Sequence, residues 1–235
     1  MKNYKSLLIG VIIVLILTGG GYALMQKSAS DEFVAPGLPY EPLGADEQVK
    51  GMYATALKVH EERVQEPTYA KYLAEGLEWK TVGDFAVADK NTYYTYAAFV
   101  YQEAAQQKPT EWVPWFNMGN MFSLSGEWER AEQAYKKAAE LAPDRYEPLL
   151  GLLDALQASK RVPTRDIITY FNQQFPKLKS DQGTFVLHYA RYLLENSENK
   201  DALSVLKVAA QMFPGDTRLQ KEYEAVGKEL KRLGL

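Results

Sequence analysis

Residues 115–143 read WFNMGNMFSLSGEWERAEQAYKKAAELAP, and this stretch decides the fold. Apolar side chains recur every three or four residues on both sides of the pair Ser125-Gly126, which is the period of an amphipathic α-helix. Glycine favours a turn at that pair, and Pro143 cannot continue a helix. The stretch therefore predicts two short helices that fold back on each other and end before residue 143.

Parts of this pattern occur three times along the chain. Residues of the same type occur 34 positions upstream, and the same internal spacing returns farther downstream. The three sets are Ala97, Tyr101, Ala104 and Pro109; Ala131, Tyr135, Ala138 and Pro143; and Ala202, Leu206, Ala209 and Pro214. Such self-similarity predicts a solenoid, in which each copy buries its apolar face against its neighbours.

The middle copy resembles the tetratricopeptide repeat, with conservative exchanges only. Eight positions agree in type and spacing: Trp115, Met118, Gly119, Phe122, Ala131, Tyr135, Ala138 and Pro143. Small residues are needed where two antiparallel helices approach closely, so we expect Gly119 to touch Ala131.

The resemblance implies an all-α fold, a right-handed α-solenoid of helix pairs with capping helices. One transmembrane helix is expected to precede it, on the separate evidence of the apolar segment described below. The helical domain is expected over residues 46–235. Its repeats are placed at about 76–109, 110–143, 144–176 and 180–214, and a C-terminal capping helix at 216–233.

Two amphipathic helices outside the repeats are expected to cover the ends of the solenoid. The first has His60 in phase with its apolar stripe, and the last is expected to begin with a capping box formed by Thr217 and Gln220. The predicted helices are 46–65, 68–88, 91–107, 110–125, 127–141, 144–159, 163–175, 179–196, 198–212 and 216–233.

An apolar segment precedes this domain. Residues 6–26 carry no charge, and the run Leu7–Met25 would span about 28 Å as a helix, close to the hydrocarbon thickness of a bilayer. We therefore expect residues 6–26 to form a transmembrane anchor behind a short tail, residues 1–5. The alternative is a cleaved signal peptide, with Gly21 and Ala23 as the small residues of the cleavage site.

Charge sets the expected orientation of this segment. Lys2 and Lys5 precede it, whereas Lys27 after it is opposed by Asp31 and Glu32. The positive-inside rule then places the N-terminus in the cytoplasm and the C-terminal domain outside it, as in a single-pass protein of the cell membrane. Residues 27–45 contain three prolines and are expected to form a semi-extended linker.

The composition excludes several kinds of chemistry. The absence of cysteine rules out disulfides, thiolate metal sites and a cysteine nucleophile. A net charge of −3 disfavours a nucleic-acid partner. His60 and His188, the two histidines, belong to no metal-binding spacing, and the chain has no phosphate-binding or nucleophile-elbow motif. We expect no catalytic residue, no cofactor and no metal site.

A tyrosine cluster precedes the middle repeat and comprises Tyr93, Tyr94, Tyr96 and Tyr101. Packing between repeats is the favoured role for the cluster. Tyr93 and Tyr94 are adjacent, so we expect one of them to be exposed as a contact residue.

The resemblance also implies where a partner binds. In this family the first helix of each repeat lines a concave face, and four positions of that helix point into the groove. The candidate binding residues are Val113, Phe116, Asn120, Leu150, Asp154, Leu187 and Arg191. Phe116 is expected to be an exposed anchor beside Asn120 and Arg191. In the alternative, Phe116 packs under the linker or the first helix.

Some members of the family clamp a C-terminal carboxylate in this groove. Lys80 and Asn117 fit that pattern, whereas Asp84, Glu147 and Gly151 depart from it. Two acidic side chains would repel a carboxylate, so this clamp is not expected here.

The function that follows is a membrane-anchored scaffold for proteins or peptides on the extracytoplasmic face, in envelope assembly, translocation or maturation. A self-associating structural protein of the envelope is the alternative. A secreted repeat protein follows if the N-terminal segment is cleaved. No motif nominates an enzyme.

Overall fold

A computed structural model describes residues 35–179 and 181–234, and all regular secondary structure in these residues is helical. The elements are α1 Glu47–Gln65, α2 Tyr69–Phe85, α3 Lys90–Gln107, α4 Trp112–Leu124, α5 Trp128–Leu141, α6 Glu147–Ser159, α7 Thr164–Gln174 followed by the short 3₁₀ helix Phe175–Lys177, α8 Gln182–Glu195, α9 Asn199–Met212 and α10 Thr217–Leu233. Their order confirms the predicted all-α class, and their bounds lie within three residues of the predicted ones.

The segment predicted to be a transmembrane anchor, residues 6–26, lies outside the described residues. None of the helices described combines the length and apolarity that a bilayer crossing requires.

The helices stack as a solenoid does. Helices that follow each other along the chain pack together from α1 to α6 and again from α8 to α10. Helix α4 also contacts α6, and α6 contacts α8. Helix α7 buries Ile167 and Phe171, and the ring of Phe171 lies 5.8 Å from that of Phe185 and 5.7 Å from that of Tyr189, both on α8. The third repeat is therefore the least regular.

Two turns between paired helices have the same backbone geometry. Between α4 and α5, Gly126 has φ of 75° and the amide of Glu127 donates to the carbonyl of Phe122 at 2.8 Å. Between α8 and α9, Ser197 has φ of 64°, and the amide of the next residue closes the corresponding bond, also at 2.8 Å. A left-handed residue ends the first helix in both turns, although only one of the two is glycine.

The cap of the last helix differs from the predicted capping box. Asp216 is the N-cap and accepts from the amide of Arg218 at 3.1 Å, while Thr217 is the first helical residue. Gln220 donates instead to Glu224 at 2.6 Å. The prediction placed the cap one residue too late because aspartate and threonine are both good caps and they are adjacent here.

A buried ionic network holds α1 against α2. Glu75 is fully buried, and its carboxylate accepts from Arg63 Nε at 2.6 Å and from Trp79 Nε1 at 3.2 Å. His60 Nδ1 lies 2.7 Å from the same carboxylate, and the hydroxyl of Tyr96 lies 3.3 Å from that nitrogen. Helix α1 buries only two of its residues, so this network fixes its position against α2.

The described part of the expected linker, residues 35–45, packs on α1 and α3. Pro39 and Pro42 are buried. The hydroxyl of Tyr53 donates to the carbonyl of Pro39 at 2.9 Å, and the hydroxyl of Tyr93 donates to that of Tyr40 at 3.0 Å. This segment therefore belongs to the folded domain.

The expectation that Tyr93 or Tyr94 is exposed is wrong. Tyr93 has no exposed surface because the segment before α1 covers it, and Tyr94 is 5% exposed. The ring of Tyr94 lies against Gly83 of α2, and its hydroxyl donates to Asp84 at 3.1 Å. Two adjacent helical residues are both buried because α3 packs on neighbours at more than one side.

Candidate functional site

The predicted binding residues lie on α4, α6 and α8, the first helices of three repeat pairs. Together with α2, the first helix of the preceding pair, these helices form what we call the first-helix face. Helices α4, α6 and α8 are in direct contact in that order, and a cavity lies between α2 and α4. This face therefore brings side chains from successive repeats side by side.

At the centre of the first-helix face, α4 and α6 both pack against the ring of Tyr135. Tyr135 of α5 is 4% exposed, and its ring fills the space beside Gly119 of α4 and Gly151 of α6. A Cβ atom added at Gly119 would lie 2.6 Å from the ring, and one added at Gly151 would also overlap with it. The atoms nearest to a Cβ at Gly119 thus belong to Tyr135, one helical turn farther along α5 than Ala131, the residue expected at this contact.

The hydroxyl of Tyr135 forms hydrogen bonds with two residues of α4. It donates to Oδ1 of Asn120 at 2.7 Å and lies 3.2 Å from the hydroxyl of Ser123. Burial raises the pKa of Tyr135 to about 12; the hydrogen bond with Ser123 opposes this shift and the charge of Asp154 adds to it. Tyr135 therefore remains protonated at neutral pH and acts as a rigid support for α4 and α6.

Phe116 is half-buried, so the expectation of an exposed aromatic anchor is wrong. Its ring lies 5.6 Å from that of Trp112 and 5.8 Å from that of Tyr135. It therefore packs within the protein, against α5 rather than under the linker or the first helix.

The structure gathers several of the other candidates at the same place. Asn120 is half-buried at Tyr135, and Leu150 and Asp154 flank Gly151 on α6. Val113 is half-buried one turn before Phe116 on α4.

The candidate binding residues on α8 have fewer interactions with the candidates on α4 and α6. Leu187 is half-buried and Arg191 is exposed. Desolvation raises the pKa of the Asp154 carboxyl, and the neighbouring His188 on α8 opposes that shift. Within the described part of the chain Arg191 forms no hydrogen bond or ion pair, so the structure does not join it to Phe116 or Asn120.

Two ion pairs lie at this face. Lys80 lies 2.5 Å from Asp84, which also accepts from Tyr94. Arg145 forms an ion pair with Glu147 and lies over the ring of Trp112 at 5.4 Å. Because Lys80 is neutralised by its neighbour, the face lacks the free cationic charge that a carboxylate clamp needs at this position.

A cavity of about 370 Å³ lies between α2 and α4. Its lining includes Leu73, Leu77 and Lys80 of α2, Asn117 and Asn120 of α4, and Tyr101 of α3. Leu77 is 54% exposed at this site.

The position of this cavity is filled by close helix packing in the next repeat. Asn117 and Tyr101 stand 34 residues before Gly151 and Tyr135. Glycine lets α6 meet the ring of Tyr135, whereas the side chain of Asn117 occupies that place on α4. Sequence analysis did not identify Tyr101 as a site residue. The signal for it lies in the repeat: where one copy has Gly151 beside its tyrosine, the copy before it has Asn117.

Among the residues described, no group of three histidine, aspartate or glutamate side chains is placed to hold a metal ion. His60 is engaged with Glu75, and His188 lies on the exposed side of α8.

Comparison with known proteins identifies the repeat. The tetratricopeptide repeat family matches residues 113–145, which confirms the resemblance of the middle copy. No curated protein matches the sequence. The crystal structure of yeast Tom70 is similar to this chain at 14% identity and a TM-score of 0.37, over 75% of this chain and 42% of that chain. The chain thus spans less than half of the length of that protein.

Proposed function

We propose that this chain, which contains a tetratricopeptide repeat at its centre, is a scaffold that binds other proteins along its first-helix face. The observation that carries the proposal is the cavity between α2 and α4, where apolar and amide side chains line one opening beside the exposed Leu77. Apolar contact combined with a few directed hydrogen bonds is how proteins recognise extended segments of a partner.

The proposal places the scaffold on the extracytoplasmic side of a membrane, in envelope assembly, translocation or maturation. Its support is the uncharged run of residues 6–26 with Lys2 and Lys5 before it. The intact mass of chain extracted from membranes tests this part. An anchor predicts the full mass and a need for detergent; a chain that begins near residue 24 and dissolves without detergent would mean a secreted protein.

Binding through the first-helix face is tested by capture of partners with the full chain in a mild detergent. Leu77→Asp places a charge on the face and should abolish retention of proteins from an envelope extract. Val64→Asp is the matched control, since Val64 on α1 is 56% exposed and lies away from the face. Equal retention by both variants would contradict the proposal.

Self-association is the second candidate, and one observation favours it. Val208 and Met212, one helical turn apart on α9, are 45% and 55% exposed. Two such apolar residues on one side of a helix near the C-terminal end can pack against a second copy. Light scattering of the full chain separates the candidates: a monomer supports the scaffold, and a dimer that Met212→Asp dissociates supports self-association.

A further inference from the structure

The cavity between α2 and α4 contains polar groups that the protein itself does not satisfy. Tyr101 is 2% exposed, and its hydroxyl forms no hydrogen bond with the residues that the structure describes. The side-chain amide of Asn117 likewise has no partner among them. Asn120 uses its Oδ1 atom for Tyr135, which leaves its NH₂ group as a donor at the cavity.

The hydroxyl of Tyr101 reaches the cavity and is not sealed from solvent, although most of the side chain is buried. The equivalent tyrosine of the next repeat is paired within the protein, since Tyr135 bonds to Asn120 and Ser123. The hydroxyl of Tyr101 is therefore available to form a hydrogen bond with a group that enters the cavity.

The charge at the cavity selects against ionic groups. Lys80 is the charged residue among its lining residues, and its ammonium group lies 2.5 Å from the carboxylate of Asp84. A carboxylate entering here would lose hydration without meeting an uncompensated positive charge. An ammonium group would leave the donor groups of Tyr101 and Asn120 without an acceptor.

We infer that the cavity between α2 and α4 binds a primary carboxamide on an apolar stem, which is the side chain of a glutamine in a partner protein. This inference rests on the proposed function, because it names the chemistry recognised on the first-helix face. The carbonyl oxygen accepts from the Tyr101 hydroxyl and the Asn120 NH₂ group. The amide NH₂ donates to Oδ1 of Asn117, and the stem packs on Leu73 and Leu77.

Butanamide reproduces this side chain without the rest of a partner, and butanoate is its charged counterpart of the same shape. Both are titrated into the full chain in detergent, and the side-chain amide signals of Asn117 and Asn120 are followed by NMR. The inference predicts saturable shifts of both signals with butanamide and binding of butanoate at least about tenfold weaker. Equal or tighter binding of butanoate, or no saturable shift with butanamide, would overturn it.

Tyr101→Phe removes the hydroxyl in question. It should weaken butanamide about three- to tenfold while leaving the thermal midpoint unchanged or higher, because no bond within the protein is lost. Tyr189→Phe is the matched control: its hydroxyl donates to the carbonyl of Ile168, so that variant should lower the midpoint and leave butanamide binding unchanged. A fall in the midpoint for Tyr101→Phe, with butanamide binding retained, would show that the hydroxyl serves the fold and not a ligand.

These outcomes are independent of the proposed function. If the full chain still captures partners in a manner sensitive to Leu77→Asp but binds no butanamide, the scaffold stands and the carboxamide inference fails. If Leu77→Asp leaves capture unchanged, the scaffold proposal itself fails.

Discussion

The ring of Tyr135 occupies the space that a side chain at Gly119 would need. A Cβ atom built at Gly119 lies 2.6 Å from the Cδ1 atom of the ring, a distance that real Cβ contacts essentially never show. The ring also lies against Gly151 of the next repeat, so one tyrosine sets the approach of three helices. Glycine is required at Gly119 by this contact and not by backbone conformation.

This relationship makes Gly119→Ala a destabilising change. Even one methyl group must displace a buried ring, which should lower the free energy of unfolding by about 1–3 kcal/mol. Gly51→Ala is the control, because a Cβ at that exposed position of α1 meets no atom within 4 Å. It should be neutral or stabilise by up to about 1 kcal/mol, since alanine favours a helix over glycine. Urea unfolding of the full chain measures both, and equal values for the two variants would contradict the contact.

The buried carboxylate of Glu75 predicts a larger loss. Glu75→Ala leaves the guanidinium of Arg63 without its partner in the interior, and removal of one member of a buried ion pair costs about 3–5 kcal/mol. Glu229→Ala removes an exposed ion pair with Arg232 and should produce no measurable change in the midpoint of unfolding. A loss for Glu75→Ala no greater than for Glu229→Ala would mean that α1 is not held by this network.

Ser197 predicts a stabilising exchange. Its φ of 64° lies in the left-handed region, where a residue with a Cβ atom is strained by about 1–2 kcal/mol. Ser197→Gly removes the strain but adds flexibility to the unfolded chain, so we expect a net gain of about 0.5 kcal/mol. Gly126→Ser makes the reverse change in the corresponding turn and should be destabilising. The thermal midpoints of the two variants should move in opposite directions; movement in the same direction would contradict the equivalence of the turns.

The buried tyrosines predict a loss of stability at alkaline pH. Burial, the main cause in each case, raises the pKa to about 12 for Tyr93, Tyr94, Tyr96 and Tyr135. Tyrosines in the unfolded chain lose their protons near pH 10, so only the unfolded state gains stability by ionisation between about pH 10 and 12. Stability should be constant below about pH 9 and fall as the pH rises through this window. A midpoint of urea unfolding that stays constant from about pH 9 to pH 11 would contradict this account.

The sequence predicted those features of the fold that are local or repeated. The 3.6-residue period located the ten α-helices that the structure describes, and the 34-residue offset located Tyr135 and its repeat. The burial of Tyr93 was not predictable in this way, because an extended segment of distant sequence covers it. The buried charge of Glu75 was missed because a carboxylate on a helix is usually solvated, and its partner Arg63 lies on another helix.

Sequence analysis predicted on which helix face the candidate residues lie better than it predicted which of them are exposed. Asn120, Leu150 and Asp154 were placed on one face by the register of the repeat, which the structure retains. Phe116 was expected to be exposed because the repeat does not need a large residue there, yet the ring of Tyr135 offers it a surface to pack on. Whether a half-exposed ring packs inward depends on such neighbours across helices, which a sequence pattern does not record.

The central claim, that partners contact the first-helix face, is tested most directly by site-specific photo-crosslinking in cells. A photoreactive side chain replaces Asp154 or Arg191 on that face, or Gln133 or Lys137, which are exposed on α5. The account predicts adducts with another protein from Asp154 and Arg191 and none from Gln133 and Lys137. Adducts from the α5 positions alone, or adducts only with a second copy of this chain, would contradict it.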